Sequence, residues 1–193
     1  MITSKQILKE YLEADRIASR RKKVGFKQWL IQILFPDNIW RFHVLLRKCE
    51  YYRNTSNSVP KKILYIYYKY KFKRLSFRLG FSIPENVFGP GLYIPHYGPI
   101  VVNMNAKIGA NCRIHICTVI GASGGTSLAP TLGDNVYIGP GVKIFGDIKI
   151  VSNTAIAANA AVNKSFLEEG NLIAGVPAKV VGTIDIAKIM KHL

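Results

Sequence analysis

"LGDNVYIGPGVKIFGDIKIVSNTAIAANAAV", residues Leu132 to Val162, is the stretch on which the fold turns. An aliphatic side chain returns at every sixth position: Leu132, Ile138, Ile144, Ile150, Ile156 and Val162. The same spacing runs upstream through Val102, Ile108, Ile114 and Ile120. Six residues advance an α-helix by about 600°, so successive aliphatics would sit about 240° apart and share no face. The chain must instead turn once per hexapeptide. Three hexapeptides closing a triangular coil meet this demand, with each aliphatic pointing inward and backbone hydrogen bonds running from coil to coil. A β-sandwich, whose turns fall irregularly at about 8–12 residues, does not.

The other positions agree with short strands joined at corners. The fourth residue after each aliphatic carries modest bulk: Ala106, Cys112, Thr118, Val136, Val142, Thr154 and Ala160, with Ile148 as the exception. "IGAN" (Ile108 to Asn111) and "IGPG" (Ile138 to Gly141) put Asn and Gly where a corner needs positive φ. "GASGGTSLAPT" (Gly121 to Thr131) breaks the rhythm and must leave the coil as a loop.

The chain has 193 residues, 49% of them hydrophobic, and a mean hydropathy of +0.13, which suits one well-formed core with an appendage. "WLIQILF" (Trp29 to Phe35) is interrupted by Gln32 and falls far short of the roughly 20 residues a membrane span needs. The first residues lack the pattern of a secretory signal, so a cytoplasmic location is expected. Cys49, Cys112 and Cys117 form no C-x-x-C pair, so neither a disulfide framework nor a metal site is expected. They read as reduced, structural thiols, with catalysis by Cys117 as the alternative.

Charge divides the chain. Residues 1–80 hold 19 Lys/Arg against 5 Asp/Glu, whereas residues 81–193 hold 8 against 6. The organisation expected is a basic α-helical region over 1–80, a β-helix over 81–182 and a helical tail over 183–193. Helices over 4–23, 37–53 and 60–79, separated by "VGFK" and "NTSNSVP", would start at caps Thr3, Asp37 and Ser58. They would cover the first coil, whose strand edge and core are otherwise bare. "KKILYIYYKYKFKRLSFRL" (Lys61 to Leu79) interleaves aromatics with bases. That pattern suits peripheral contact with an anionic membrane surface, and equally a helix packed in an oligomer with a solvated basic face. The period-two "YKYKFK" also leaves a strand open. No nucleic-acid-binding motif accompanies the charge, so no nucleic-acid partner is expected. His43 and His192 read as surface groups.

"LYIPHYGPIVVN" (Leu92 to Asn103) carries the residue of most chemical interest, His96. From Ile94 to Ile114, with two residues inserted, the hexapeptide count makes one full coil. His115 should then stand about 4.8 Å, one strand spacing, from the His96 region on the same outer face. An imidazole there has the proton affinity to act as a general base near neutral pH.

The repeat, the loop "GASGGTSLAPTLGDNVYIGPGVKIFGD" and the terminal "LIAGVPAKVVG" together resemble the hexapeptide-repeat acyltransferases, specifically the serine acetyltransferase group and its polysaccharide O-acetyltransferase relatives. The resemblance covers roughly residues 80–182. It implies a left-handed parallel β-helix, a homotrimer, and acetyl-CoA bound between neighbouring subunits. His96 matches the catalytic histidine, with His115 as a second site participant. Ser123 and Gly124 would lie near the acyl group, where a backbone N–H can stabilise an oxyanion. Gly139, Pro140, Ala157 and Ala158 match the pantetheine channel. Gly175 to Lys179 matches the cofactor-binding end, with Lys179 placed for a CoA phosphate.

Departures from the family pattern bear on the acceptor. An acid that steadies the catalytic histidine aligns with Phe81, a second acid with Pro95, and an Arg-His pair with Leu128 and Ala129. Without those charges an amino-acid acceptor looks poorly held. The expectation is therefore a neutral hydroxyl on a sugar or a capsular or surface polysaccharide precursor. Serine O-acetylation is the alternative, and a non-catalytic β-helix scaffold the second. Glu85 or a backbone carbonyl would orient the His96 ring.

Overall fold

The computed structural model describes residues 1–22, 25, 31 and 33–193. From Phe81 onward the chain winds into a three-sided prism of short parallel strands. One wall stacks Phe81–Ser82, Ile100–Val102, Thr118–Gly121, Lys143–Phe145 and Ala161–Val162. The second stacks Lys107–Ile108, Thr131–Leu132 and Lys149–Ile150. The third stacks Arg113–Ile114, Tyr137–Ile138, Ala155–Ile156 and Asn171–Ala174, and ends with an antiparallel strand, Lys179–Thr183.

The register explains the hexapeptides. Ile114 pairs with Ile138, Ile138 with Ile156, and Ile156 with Ile173, so each aliphatic sits on its counterpart one coil away, buried in a single core. The fourth-position residues point inward as well, and even bulky Ile148 is buried. Corners adopt positive φ at Asn111, Asn135 and Asn153, whose side-chain amides hydrogen-bond in a ladder at 3.0 and 2.9 Å. At another corner Gly141 has φ of 77°, and a Cβ there would fall 2.0 Å from Asn159 Oδ1. The Gly121–Thr131 loop adds one further hexapeptide between Ile120 and Leu132, which is why the grid resumes in phase after it.

Among the described residues, three helices close the prism's open end: α1 (Lys5–Ala18), α2 (Asn38–Asn54) and α3 (Val59–Leu79). Phe42, Leu46 and Cys49 from α2, with Phe72 and Leu79 from α3, share one core with Phe81, Ile83 and Leu92. Helix α1 stops at Ala18, short of residue 23, and is capped by Ser4, whose Oγ accepts from the Ile7 N–H, rather than by Thr3. Asp37 caps α2 through the Trp40 N–H. Ser58 precedes α3 without a side-chain cap bond, Pro60 in the first turn leaving fewer N–H groups to satisfy. "YKYKFK" is helical throughout, since burial of Phe72, Ser76 and Leu79 on one side sets a helical rather than an alternating pattern. Apart from Gly25, the "VGFK" linker lies outside the described residues, as do Trp29, Leu30 and Gln32 of "WLIQILF".

His43 is not a surface group: it is fully buried, with Nδ1 3.5 Å from Asp15 Oδ2. His192 is half-buried, and its Nε2 is enclosed. The tail is one short 3-10 turn, Ile186–Lys188, with Ile186 and Met190 packed beside Ala155 and Tyr137 on the third wall.

Candidate active site

His96 lies in the turn that leads from the Tyr93–Arg113 bridge of the third wall to the first-wall strand Ile100–Val102. His115 lies in the same turn one coil on, pinned by its N–H on the Ile138 carbonyl (3.1 Å) and by Thr118 Oγ1 donating to its own carbonyl (2.8 Å). Stacking the coils thus brings the two rings together, with centroids 6.5 Å apart. His96 is exposed and His115 half-buried.

Three further residues surround the pair. The Tyr137 ring stands 5.3 Å from His115. The Arg113 guanidinium is held between the rings of Tyr93 and Tyr137, at 5.1 and 5.4 Å, and its Nη1 donates to the Ile189 carbonyl at 3.3 Å. Burial first, then the positive charge of Arg113 and the neighbouring His96, push the His115 pKa down to about 4. His115 is therefore a neutral imidazole near pH 7, and its buried Nε2 has no hydrogen-bond partner among the described residues. Sequence reasoning missed Tyr93, Arg113 and Tyr137. A signal existed: each immediately precedes an inward isoleucine of the third wall, so the repeat places them in one outward file.

Below the histidines the same prism edge carries small residues. His115, Gly139, Ala157 and Ala174 each follow the inward isoleucine of successive coils, and the next file contains Pro140, Ala158 and Gly175. The sequence-selected Gly139, Pro140, Ala157, Ala158 and Gly175 thus form one strip descending from the histidines, with exposed Lys179 paired to Ala174 at its foot. Gly139 has a separate steric reason: a Cβ there would meet the Ala158 nitrogen at 2.8 Å and the Ile156 oxygen at 2.9 Å.

Ser123 and Gly124 are not brought to this edge. Their loop leaves between the first and second walls, where Asn105 Nδ2 holds the Ser127 carbonyl at 2.8 Å, whereas the histidines stand between the third wall and the first. Glu85 does not orient His96, because Arg53 and Lys69 engage its carboxylate beneath α3. Phe81, aligned with an acid in the family, is core, its ring 4.9 Å from Phe42. Burial pushes the Cys49 thiol up to about 12 and the Cys112 thiol up as well, as inert packing groups require; Cys117 is exposed at a corner with φ of 61°. Among the described residues no cluster of His, Cys, Asp and Glu could hold a metal.

No family model matches the chain. A serine acetyltransferase of Mycobacterium tuberculosis is 37% identical over 101 residues, which is 51% of this chain and 44% of that protein. Among solved structures, a serine acetyltransferase in complex with cysteine superposes with a TM-score of 0.70 at 24% identity, covering 96% of this chain and 70% of that one. A serine acetyltransferase from Brucella abortus in complex with coenzyme A has a TM-score of 0.66 at 22% identity, covering 93% and 68%. The chain is similar to the serine acetyltransferases. The shared fold is a left-handed parallel β-helix behind an N-terminal helical region, and the chain spans under half the length of the relative it matches in sequence.

These relatives correct the expected acceptor. The matched proteins are serine acetyltransferases, so a sugar or polysaccharide hydroxyl is not supported. That expectation equated missing charges at four aligned positions with a site lacking charge. The folded chain sets Arg113 close enough to His115 to shift its titration.

Proposed function

We propose that the chain is an acetyl-CoA-dependent serine O-acetyltransferase that works as a homotrimer. The observation that carries the reading is the His96–His115 pair heading a strip of small side chains on one prism edge, in a chain similar to serine acetyltransferases. A long thioester can lie along that strip with its phosphates toward Lys179. His96, exposed and free to approach an acceptor, takes the proton from the serine hydroxyl as its oxygen attacks the thioester carbonyl carbon. When the carbon–sulfur bond breaks, the proton passes from the imidazole to the departing CoA sulfur. His115, neutral, offers a hydrogen bond without adding charge, and Arg113 supplies the positive potential that a carboxylate-bearing acceptor needs. A trimer accounts for the loop geometry. Ser123 and Gly124 stand on a different edge from the histidines of their own subunit, so they would serve the site of a neighbour.

The test is release of CoA thiol, followed optically, with serine and with no acceptor, beside sedimentation equilibrium for mass. Serine-dependent release is expected from a particle of three chains, with kcat/KM falling by about 10²- to 10⁴-fold in His96→Ala. Absence of acetyl-CoA binding by calorimetry, or an unimpaired His96→Ala, would overturn it.

A further inference from the structure

Helix α3 is apolar on two opposite faces. Its inner face buries Phe72, Ser76 and Leu79. At about 100° per residue, Val59, Ile63, Ile66, Tyr70 and Phe77 fall within about 60° of one another on the side turned away from the core. All five are exposed, Ile66 at 67% and Phe77 at 89%. Isolated exposed apolar residues need no explanation, but an outward stripe spread over five turns of one helix, interrupted only at the turn where Lys73 and Arg74 stand, does.

The flanks of the stripe say what covers it. The helix carries seven Lys/Arg and no Asp/Glu. Lys62, Lys69 and Lys73 line one flank, and Lys71, Arg74 and Arg78 the other. Two of these cations are carried by tyrosines of the same helix: Lys71 lies 4.5 Å from the Tyr67 ring centre, and Arg74 Nη1 donates to Tyr70 Oη at 2.9 Å. Glu85 compensates Lys69, on the inner side of its flank. An apolar ridge between two basic rows, with amphipathic tyrosines beside it, matches the boundary between acyl chains and anionic headgroups. A second copy of this chain fits worse, since pairing two such ridges would set one unopposed basic row against another.

We propose that the outer face of α3 docks the protein on an anionic phospholipid bilayer. The helix lies in the interfacial plane with Ile63, Ile66 and Phe77 inserted, while no described helix is long and apolar enough to span the membrane. The proposal is independent of the acceptor, because none of these residues belongs to the histidine site.

The experiment is co-sedimentation of the full chain with phosphatidylglycerol-containing and with pure phosphatidylcholine vesicles, at low and high salt, beside its mass in solution without lipid. Binding is expected to the anionic vesicles alone and to weaken with salt. Ile66→Asp combined with Phe77→Asp should abolish it with circular dichroism and solution mass unchanged. Lys62→Gln with Lys73→Gln should weaken it by roughly 10- to 30-fold, at about 1 kcal/mol per basic residue. Failure to bind anionic vesicles, or equal binding to both kinds, overturns the proposal. So does a wild-type assembly that Ile66→Asp dissociates, which would assign the stripe to a second copy.

Discussion

The helical cap and the prism are stabilised by opposite means. Inside the prism, coil after coil repeats an aliphatic interior, and each strand's backbone groups are satisfied by the strands above and below. The helical cap contains Asp15, His43, Arg47 and Glu50, all buried, where the prism repeats none of them. The contrast follows from where repetition stops. The first coil has no coil above it, and the cap's charged side chains take that coil's place. Asp15 Oδ1 accepts from the N–H groups of Gly91 and Leu92 at 2.8 and 2.9 Å. Arg47 donates to the carbonyls of Phe88 and Gly89 at 3.0 and 2.7 Å, and Glu50 accepts from the Asn86 N–H at 2.9 Å. A solenoid supplies its own hydrogen bonds everywhere except at its ends, and an end needs chemistry that the repeat does not contain.

Replacing Arg47 should break this arrangement most severely. Arg47→Met leaves Asp15 and Glu50 as buried, uncompensated carboxylates and strips two strand-edge carbonyls of their donors. The expected loss is about 3–5 kcal/mol in urea unfolding. Neutralising the whole group, Asp15→Leu with Arg47→Met and Glu50→Leu, should not restore stability, because the edge N–H and carbonyl groups stay unsatisfied. Full restoration would show the network to be an isolated ion cluster rather than a substitute for a coil. In the prism, Ile144→Val removes one methylene from a repeated layer and should cost only about 0.5–1.5 kcal/mol.

The corners give an intermediate case. Gly141→Ala places a Cβ against Asn159 Oδ1 and forces a non-glycine residue to positive φ, for about 1–3 kcal/mol in thermal unfolding. Asn135→Gly keeps the permitted φ and loses only the ladder bonds to Asn111 and Asn153, so about 1 kcal/mol is expected. If the two substitutions cost the same, backbone conformation is not what selects the corner residues.

This division also decides what could be read from the chain. Ile138, Ile144 and Ile150 announce the prism because a periodic structure writes its period into the sequence. The neighbouring turns of His96 and His115 followed from counting coils. Arg47 and Asp15 give no such signal: they are 32 residues apart, meet once, and look like ordinary helix-surface charges until the prism edge appears between them. The basic and aromatic mix of Lys61 to Leu79 already suggested contact with an anionic membrane, but which face of α3 would make it was hidden, since apolar residues on two opposite faces erase the one-sided pattern that marks an amphipathic helix. Glu85 misled because its partners, Arg53 and Lys69, arrive from helices whose placement no local pattern gives.

The last expected effect is a matter of acid response, and it separates the two regions by pH. An unfolded histidine takes up its proton near pH 6.5, whereas folded His115 resists until about 4, so the unfolded chain binds more protons between those values. Stability in the prism should therefore fall as pH drops from about 6.5 to 4. Asp15 acts later: despite its burial, Arg47 and His43 hold its pKa down to about 2, so its share is lost only as pH falls from about 4 towards 2. Asp15→Asn should flatten the lower window and leave the upper one. Arg113→Gln should raise the His115 midpoint read by NMR, because it removes a cation that disfavours the charged ring. A His115 midpoint near 6.5 in the folded protein, unmoved by Arg113→Gln, would mean that neither burial nor the guanidinium governs the ring beside His96.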